Sequence, residues 1–274
     1  MVQLACMGIV RFRTESGSTR CGYIIGSSIV GIDDQLPHQA PSTLSTAEDM
    51  SRRTYNRSEV TLISPVDPGT IVCLDGCYEH DSVEQRDPHV GELATQETPS
   101  LWVALVDSMV AEGTDVTLPG LTDDVRPGVE LGLVIGERTR NCSPDRAREH
   151  IAGYTTCRTF NAHDTHPGLY GYRMFEGFLG VGEKFVPDIT LPVALGVRRN
   201  KRVADRSSTA DLRFSLGELV SYASHVFTLD PGDLVLTGNP TRIDSPLKPG
   251  ENVTAWIESV GRQTATVVAE GEGQ

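Results

Sequence analysis

A chain of 274 residues, 38% hydrophobic and 22% charged, has enough apolar sequence to bury the core of one medium-sized domain and a smaller companion. Its formal charge of −13 repels phosphate backbones and no basic stripe offsets it, so nucleic acid is not an expected partner. No apolar run approaches the roughly 20 residues that span a bilayer, and MVQLACMGIVRFR lacks the basic-then-apolar pattern of a secretion signal, so a cytoplasmic protein with no membrane partner is expected.

In chain order, GIVRFRT and TRCGYIIG alternate like antiparallel strands around ESGS, a polar turn with a glycine available for positive φ. They predict a small β-rich N-terminal domain. Residues 38–58 are polar and weakly periodic, which predicts a linker with a short helix. The boundary falls near residue 60, giving an N-terminal domain and linker over 1–60 and a core over 61–274. TIVCLDG, SLWVALVDSMV and VELGLVIGE follow as apolar runs of strand type. Ser143 as N-cap, Pro144 at the first helical position, Asp145 in the first turn and Gly153 past the end mark a short helix, followed by a strand from about Tyr154 to Asn161. FSLGELVSYASHVFTL carries a capping box, Ser215 with Glu218, and apolar residues at helical spacing. The turn DPGD leads to LVLTG, and KPGEN leads to VTAWIE and QTATVVAE. The fold class is mainly β with few helices (α+β). Six cysteines are scattered without zinc-ligand spacing, which predicts reduced thiols.

Several chemistries lose their support at once. The chain has no G-x-x-x-x-G-K-[ST] loop, no G-x-G-x-x-G after a strand, no G-x-S-x-G elbow and no H-E-x-x-H.

The order SPVDPGTIVCLDGCYEH, TLPGLTDDVRPGVELGLVIGERTRN, AGYTTCRTFNAHD and FSLGELVSYASHVFTLDPGDLVLTGNP resembles the fumarylacetoacetate hydrolase superfamily from about residue 61 onward. The resemblance implies a core of rolled mixed β-sheets, usually dimeric, and a homodimer is expected. It also implies a pocket in which a divalent cation chelates a 1,3-dicarbonyl or 2-oxo acid. Typical reactions are carbon-carbon hydrolysis, decarboxylation and keto-enol isomerisation.

The metal site of that family uses two glutamates at i and i+2 on one strand, which share a face because strand side chains alternate, and an aspartate from the strand after the short helix. Here the second glutamate is Glu130, the first position is Gly128, and the aspartate position is Thr159. No cofactor is expected on this reading. The alternative is Mg²⁺ or Mn²⁺ held by Glu130 and by chelation from the substrate. A third possibility is that Glu130 forms a structural salt bridge with an arginine such as Arg158.

Lysines of the family fall at Ala104 and Glu176, and Asn239 stands in place of a threonine in LTGNP. His80 and Glu84, at i and i+4, resemble the water-activating histidine and glutamate that the family carries on a lid helix at a spacing of three, with solvated surface residues as the plainer reading. Substrate contacts are expected from Tyr78, Thr159 and His163, from Tyr172 and Arg173 in PGLYGYRMF, and from Thr237 and Asn239. His163 and His166 form a loop H-x-x-H, expected to be hydrogen-bonded or solvated and not a metal site. If Glu176 and Glu130 share one desolvated pocket, burial and like-charge repulsion leave one protonated, a general acid and base pair.

The leading expectation is an enzyme acting on an enolisable 1,3-dicarbonyl or polyketide-like small molecule. Its reaction is a metal-independent isomerisation, cyclisation or carbon-carbon cleavage in a biosynthetic pathway. The alternatives are a metal-dependent hydrolase of acylpyruvate type and a non-catalytic binding protein on the same fold.

Overall fold

The alternating N-terminal segments pair as expected. In the computed structural model, which describes residues 8–32, 38, 53–79, 98–164 and 175–271, β1 (Ile9–Thr14) and β2 (Thr19–Ile25) are antiparallel. Gly17 takes φ +84 in the turn between them. With β3 (Ser28–Ile32), β4 (Thr54–Asn56) and β5 (Val60–Ile63) they form a five-stranded sheet in the order β4-β3-β2-β1-β5. Residues 54–56 were expected in a linker with a short helix, and they form β4 instead, followed by a single 3-10 turn at Arg57–Glu59. Tyr55 explains the difference: its ring packs edge-on against Phe12 at 4.9 Å, which holds the segment extended on the sheet.

The chain then runs through β6 (Ile71–Asp75), β7 (Ser100–Ala104), β8 (Met109–Val110), β9 (Val116–Leu118), β10 (Val125–Ile135), α1 (Pro144–Glu149), β11 (Ile151–Ala162) and β12 (Leu179–Val181). It ends with β13 (Ala194–Arg199), β14 (Arg202–Ser208), α2 (Leu216–Val226), β15 (Leu234–Leu236), β16 (Asn252–Ile257) and β17 (Gly261–Ala269). Two further sheets result, a mixed seven-stranded one in the order β7-β6-β15-β10-β11-β12-β8 and a five-stranded one in the order β14-β13-β16-β17-β9. The fold is mainly β, as the sequence predicts. Among the described residues, no helix is long and apolar enough to cross a membrane, and the five described cysteines are free.

The seven-stranded sheet is buried on both faces, which is why β10 reads as an almost unbroken apolar run. Val129, Leu131, Leu133 and Ile135 pack with Tyr154, Phe160, Leu195, Val253 and, from α2, Leu219 and Val220. Val134 faces the other way, with Cys157, Leu179, Val181 and Leu236, against Ile9, Cys21 and Tyr23 of the N-terminal sheet.

The helices follow their sequence signals unequally. The capping box of α2 is complete: Glu218 N–H donates to Ser215 Oγ at 3.2 Å, and Ser215 N–H to Glu218 Oε2 at 2.7 Å. In α1, Pro144 starts the helix but Ser143 makes no side-chain cap, and Gly153 lies inside β11 and not just past the helix end. Gly153 answers to packing instead: a Cβ there would stand 2.5 Å from Phe185 Cζ.

Candidate active site around Glu130

The antiparallel pairing of β10 with β11 decides which side chains can meet. Arg126 lies opposite Asn161, Gly128 opposite Thr159, and Glu130 opposite Cys157. Strand alternation therefore puts these six residues on one face, while Val129, Leu131 and their partners Arg158 and Thr156 point to the other.

Glu130 is fully buried. Its Oε2 accepts a hydrogen bond of 2.9 Å from the N–H of Gly238, in the loop that leaves β15. Gly238 takes φ +86, a backbone that L side chains rarely adopt, and this turns its amide toward the carboxylate. The preceding Thr237 donates its N–H to Leu131 O at 3.2 Å, fixing the loop to β10. Among the described residues its buried hydroxyl has no hydrogen-bond partner, nor does that of Thr159.

Next along the loop, Asn239 is half-buried. Its Oδ1 accepts from Val129 N–H at 3.1 Å, Thr241 N–H at 3.1 Å and Thr241 Oγ1 at 2.8 Å. At the outer end of the face, Arg126 donates to both carboxylate oxygens of Asp124, at 2.7 and 2.6 Å, and lies 3.7 Å from Asp244.

Two expectations meet a correction. Arg158 does not pair with Glu130: the register sends it to the opposite face, where Nε donates to Gln263 Oε1 at 2.6 Å and Nη2 to Gly177 O at 2.9 Å. Burial lowers its pKa to about 9, opposed by the charge of Glu112. Glu176 is exposed on the turn before β12, whereas Glu130 is buried, so the two carboxylates do not share a desolvated pocket. Tyr78 is buried in the apolar core and bridged to Leu212. His163 is exposed, its N–H donating to Asp124 O at 2.8 Å. His80, Glu84, His166, Tyr172 and Arg173 lie outside the described residues.

Among the described residues, no group of three or more His, Cys, Asp or Glu side chains is placed to hold a metal ion. Among the described residues, the groups beside Glu130 are the Cys157 thiol, the Thr159 hydroxyl, the Asn239 amide and backbone N–H groups, which do not fit a hard-cation site built on several carboxylates. The sequence reading did not foresee that Gly238 would hold Glu130 or that Asn239 would lean over β10. Only the glycine in LTGNP hinted at a close backbone approach.

The fold and this face place the protein in a class of rolled-sheet proteins with a buried carboxylate at the heart of a mixed sheet. The profile described as Fumarylacetoacetate (FAA) hydrolase C-terminal matches residues 70–268. Mitochondrial oxaloacetate tautomerase fahd2 of Xenopus laevis is 27% identical over 294 aligned positions, covering 96% of this chain and 90% of that protein. Mitochondrial oxaloacetate tautomerase FAHD2A of Bos taurus is 30% identical over 221, covering 75% and 68%. A crystal structure of 5-carboxymethyl-2-hydroxymuconate delta-isomerase from Mycobacterium smegmatis aligns with a TM-score of 0.82 and 25% identity, covering 96% of this chain and 100% of that one. The chain belongs to the fumarylacetoacetate hydrolase family.

Proposed function

We propose that the protein is an enzyme that moves a proton on an enolisable 2-oxo acid or 1,3-dicarbonyl, with Glu130 as the base and without a cation held by protein carboxylates. The observation that carries the reading is a fully buried glutamate whose neighbours on the face of β10 and β11 are the Cys157 thiol, the Thr159 hydroxyl and, further out, Asn161 and Arg126, with no second carboxylate among them. Gly238 orients the carboxylate through Oε2, and as the base Glu130 takes a proton from the carbon beside a carbonyl. The electron pair of the broken C–H bond forms the C=C bond of the enolate, and the π pair of the carbonyl moves onto its oxygen. Returning the proton to that oxygen completes a tautomerisation, and returning it to a different carbon completes an isomerisation, so neither needs a co-reactant. Relatives named as oxaloacetate tautomerases and as a delta-isomerase support the proton-transfer reading.

The test follows keto-enol interconversion of oxaloacetate and of acetopyruvate by ultraviolet absorbance, in EDTA and again with added Mg²⁺. Acceleration in EDTA that Glu130→Gln abolishes supports the reading. Acceleration that appears only with Mg²⁺ overturns it in favour of metal-dependent chemistry. No acceleration under either condition overturns it in favour of a binding protein.

A further inference from the structure

The place of a side chain at residue 128 is already taken. A Cβ built on Gly128 would lie 2.5 Å from Asn239 Nδ2 and 2.6 Å from its Cγ, closer than carbon atoms approach. Because that Cβ would point to the face of Glu130, the amide of Asn239 lies on the same face. The orientation of the amide is set by its oxygen: three donors converge on Oδ1, from Val129 and Thr241, and an NH₂ group cannot accept them. The whole amide thus stands over Gly128, with Oδ1 2.8 Å from that Cβ position, and Nδ2, the nearer end, donates no hydrogen bond among the described residues. Directly across the strand pair from Gly128 is Thr159, 1% exposed, whose hydroxyl has no hydrogen-bond partner among the described residues. A buried hydroxyl left unpaired is costly, and it is satisfied when a ligand supplies the partner.

We infer that Asn239 Nδ2 and Thr159 Oγ1 form a paired donor site, framed by the missing side chain of Gly128, that binds the enolate oxygen of a planar 2-oxo acid beside Glu130. The inference deepens the proposed proton transfer and rests on it. Neutral donors aimed at a developing oxyanion stabilise it as a cation would, without the charge. Gly128 is then a positioning residue, since any side chain there pushes the amide aside. The site selects an anionic, acceptor-rich ligand over a free cation.

Calorimetric titration with oxalate, a planar dianion shaped like such an enolate, tests the site in EDTA and separately from turnover. The expected result is saturable binding that weakens about tenfold or more in Asn239→Asp. Aspartate keeps an acceptor oxygen for Val129 and Thr241 but replaces the donor with an acceptor, so the melting temperature stays near that of wild type. Gly128→Ala gives a similar loss, and the double variant loses little more than either single one, because both changes remove the same contact. Glu130→Gln retains oxalate binding while losing turnover. Oxalate affinity unchanged by Asn239→Asp, binding only after Mn²⁺ is added, or no binding to wild type overturns the donor site. Proton transfer in EDTA that persists alongside any of these outcomes leaves the role of Glu130 standing, so the two failures are distinguishable.

Discussion

The N–H of Gly238 donates to Oε2 of Glu130 at 2.9 Å, tying the loop after β15 to the middle of β10. Glutamine at position 130 offers a carbonyl oxygen to the same N–H but cannot act as a base at neutral pH. Glu130→Gln is therefore expected to lower turnover of the active oxo acid by about 10²- to 10⁴-fold with little change in urea midpoint. Glu130→Ala leaves a buried N–H unpaired and is expected to cost a further 1–3 kcal/mol or so in stability. Equal turnover by wild type and Glu130→Gln would remove Glu130 from the chemistry.

Much of the fold was legible because its signals are local. The capping box of Ser215 and Glu218, the turn at ESGS and the apolar run of β10 each depend on neighbours within a few residues. The site was legible only in part. Glu130 stood out as a charge in an apolar strand, but whether it meets Arg158 depends on the register of β10 against β11, and α1 intervenes between them. A shift of one residue would have put Arg158 in the place of Cys157 opposite Glu130. The fit of Asn239 into the space above Gly128 joins positions 111 apart in sequence, and no local pattern reports it.

Arg158 is where that register has its largest energetic consequence. It is fully buried, its guanidinium carbon 4.1 Å from the centroid of Phe160, with Nε and Nη2 held by Gln263 and Gly177. Arg158→Ala leaves a cavity and two acceptors without donors, and a loss of about 3 kcal/mol or more is expected from urea unfolding. Gly180→Ala is expected to destabilise by roughly 1–3 kcal/mol, since its Cβ would stand 2.5 Å from Gln263 Cδ and 2.7 Å from Arg158 Nη2. Both variants folding as stably as wild type would contradict the packing described.

Thiol reactivity gives an independent check on the burial of the Glu130 face. Burial first, then the neighbouring charge of Glu130 and then Cys73, push the thiol of Cys157 well above its ordinary pKa. The thiolate is the nucleophile, so Cys157 is expected to resist alkylation in the folded protein at neutral pH. Cys142, half-buried, is expected to react before Cys157, Cys73, Cys77 or Cys21. Peptide mapping after brief iodoacetamide treatment reads the order directly, and early labelling of Cys157 would show that the face opens in solution.

Glu112 gives the pH dependence of stability a definite sign. It faces Glu183 across a cleft of about 300 Å³ lined also by Arg57 and by Val60, Thr61, Leu62 and Ile63, with Arg57 3.3 Å from Glu183. Its Oε2 accepts from Thr264 N–H at 2.6 Å. Burial raises its pKa, the charge of Glu183 adds to this, and Thr264 and Arg262 only partly oppose it. The folded protein thus holds a proton on Glu112 at pH values where the unfolded chain has released it. Stability linked to this group is complete below the ordinary carboxylate range and falls as pH rises through the raised value. Glu112→Gln keeps the acceptor for Thr264 and removes the ionisation. The variant is therefore expected to match wild type in acid and to exceed it in stability at neutral pH. Melting temperatures measured across that range decide the point: parallel curves for the two proteins would show that Glu112 carries no such linkage.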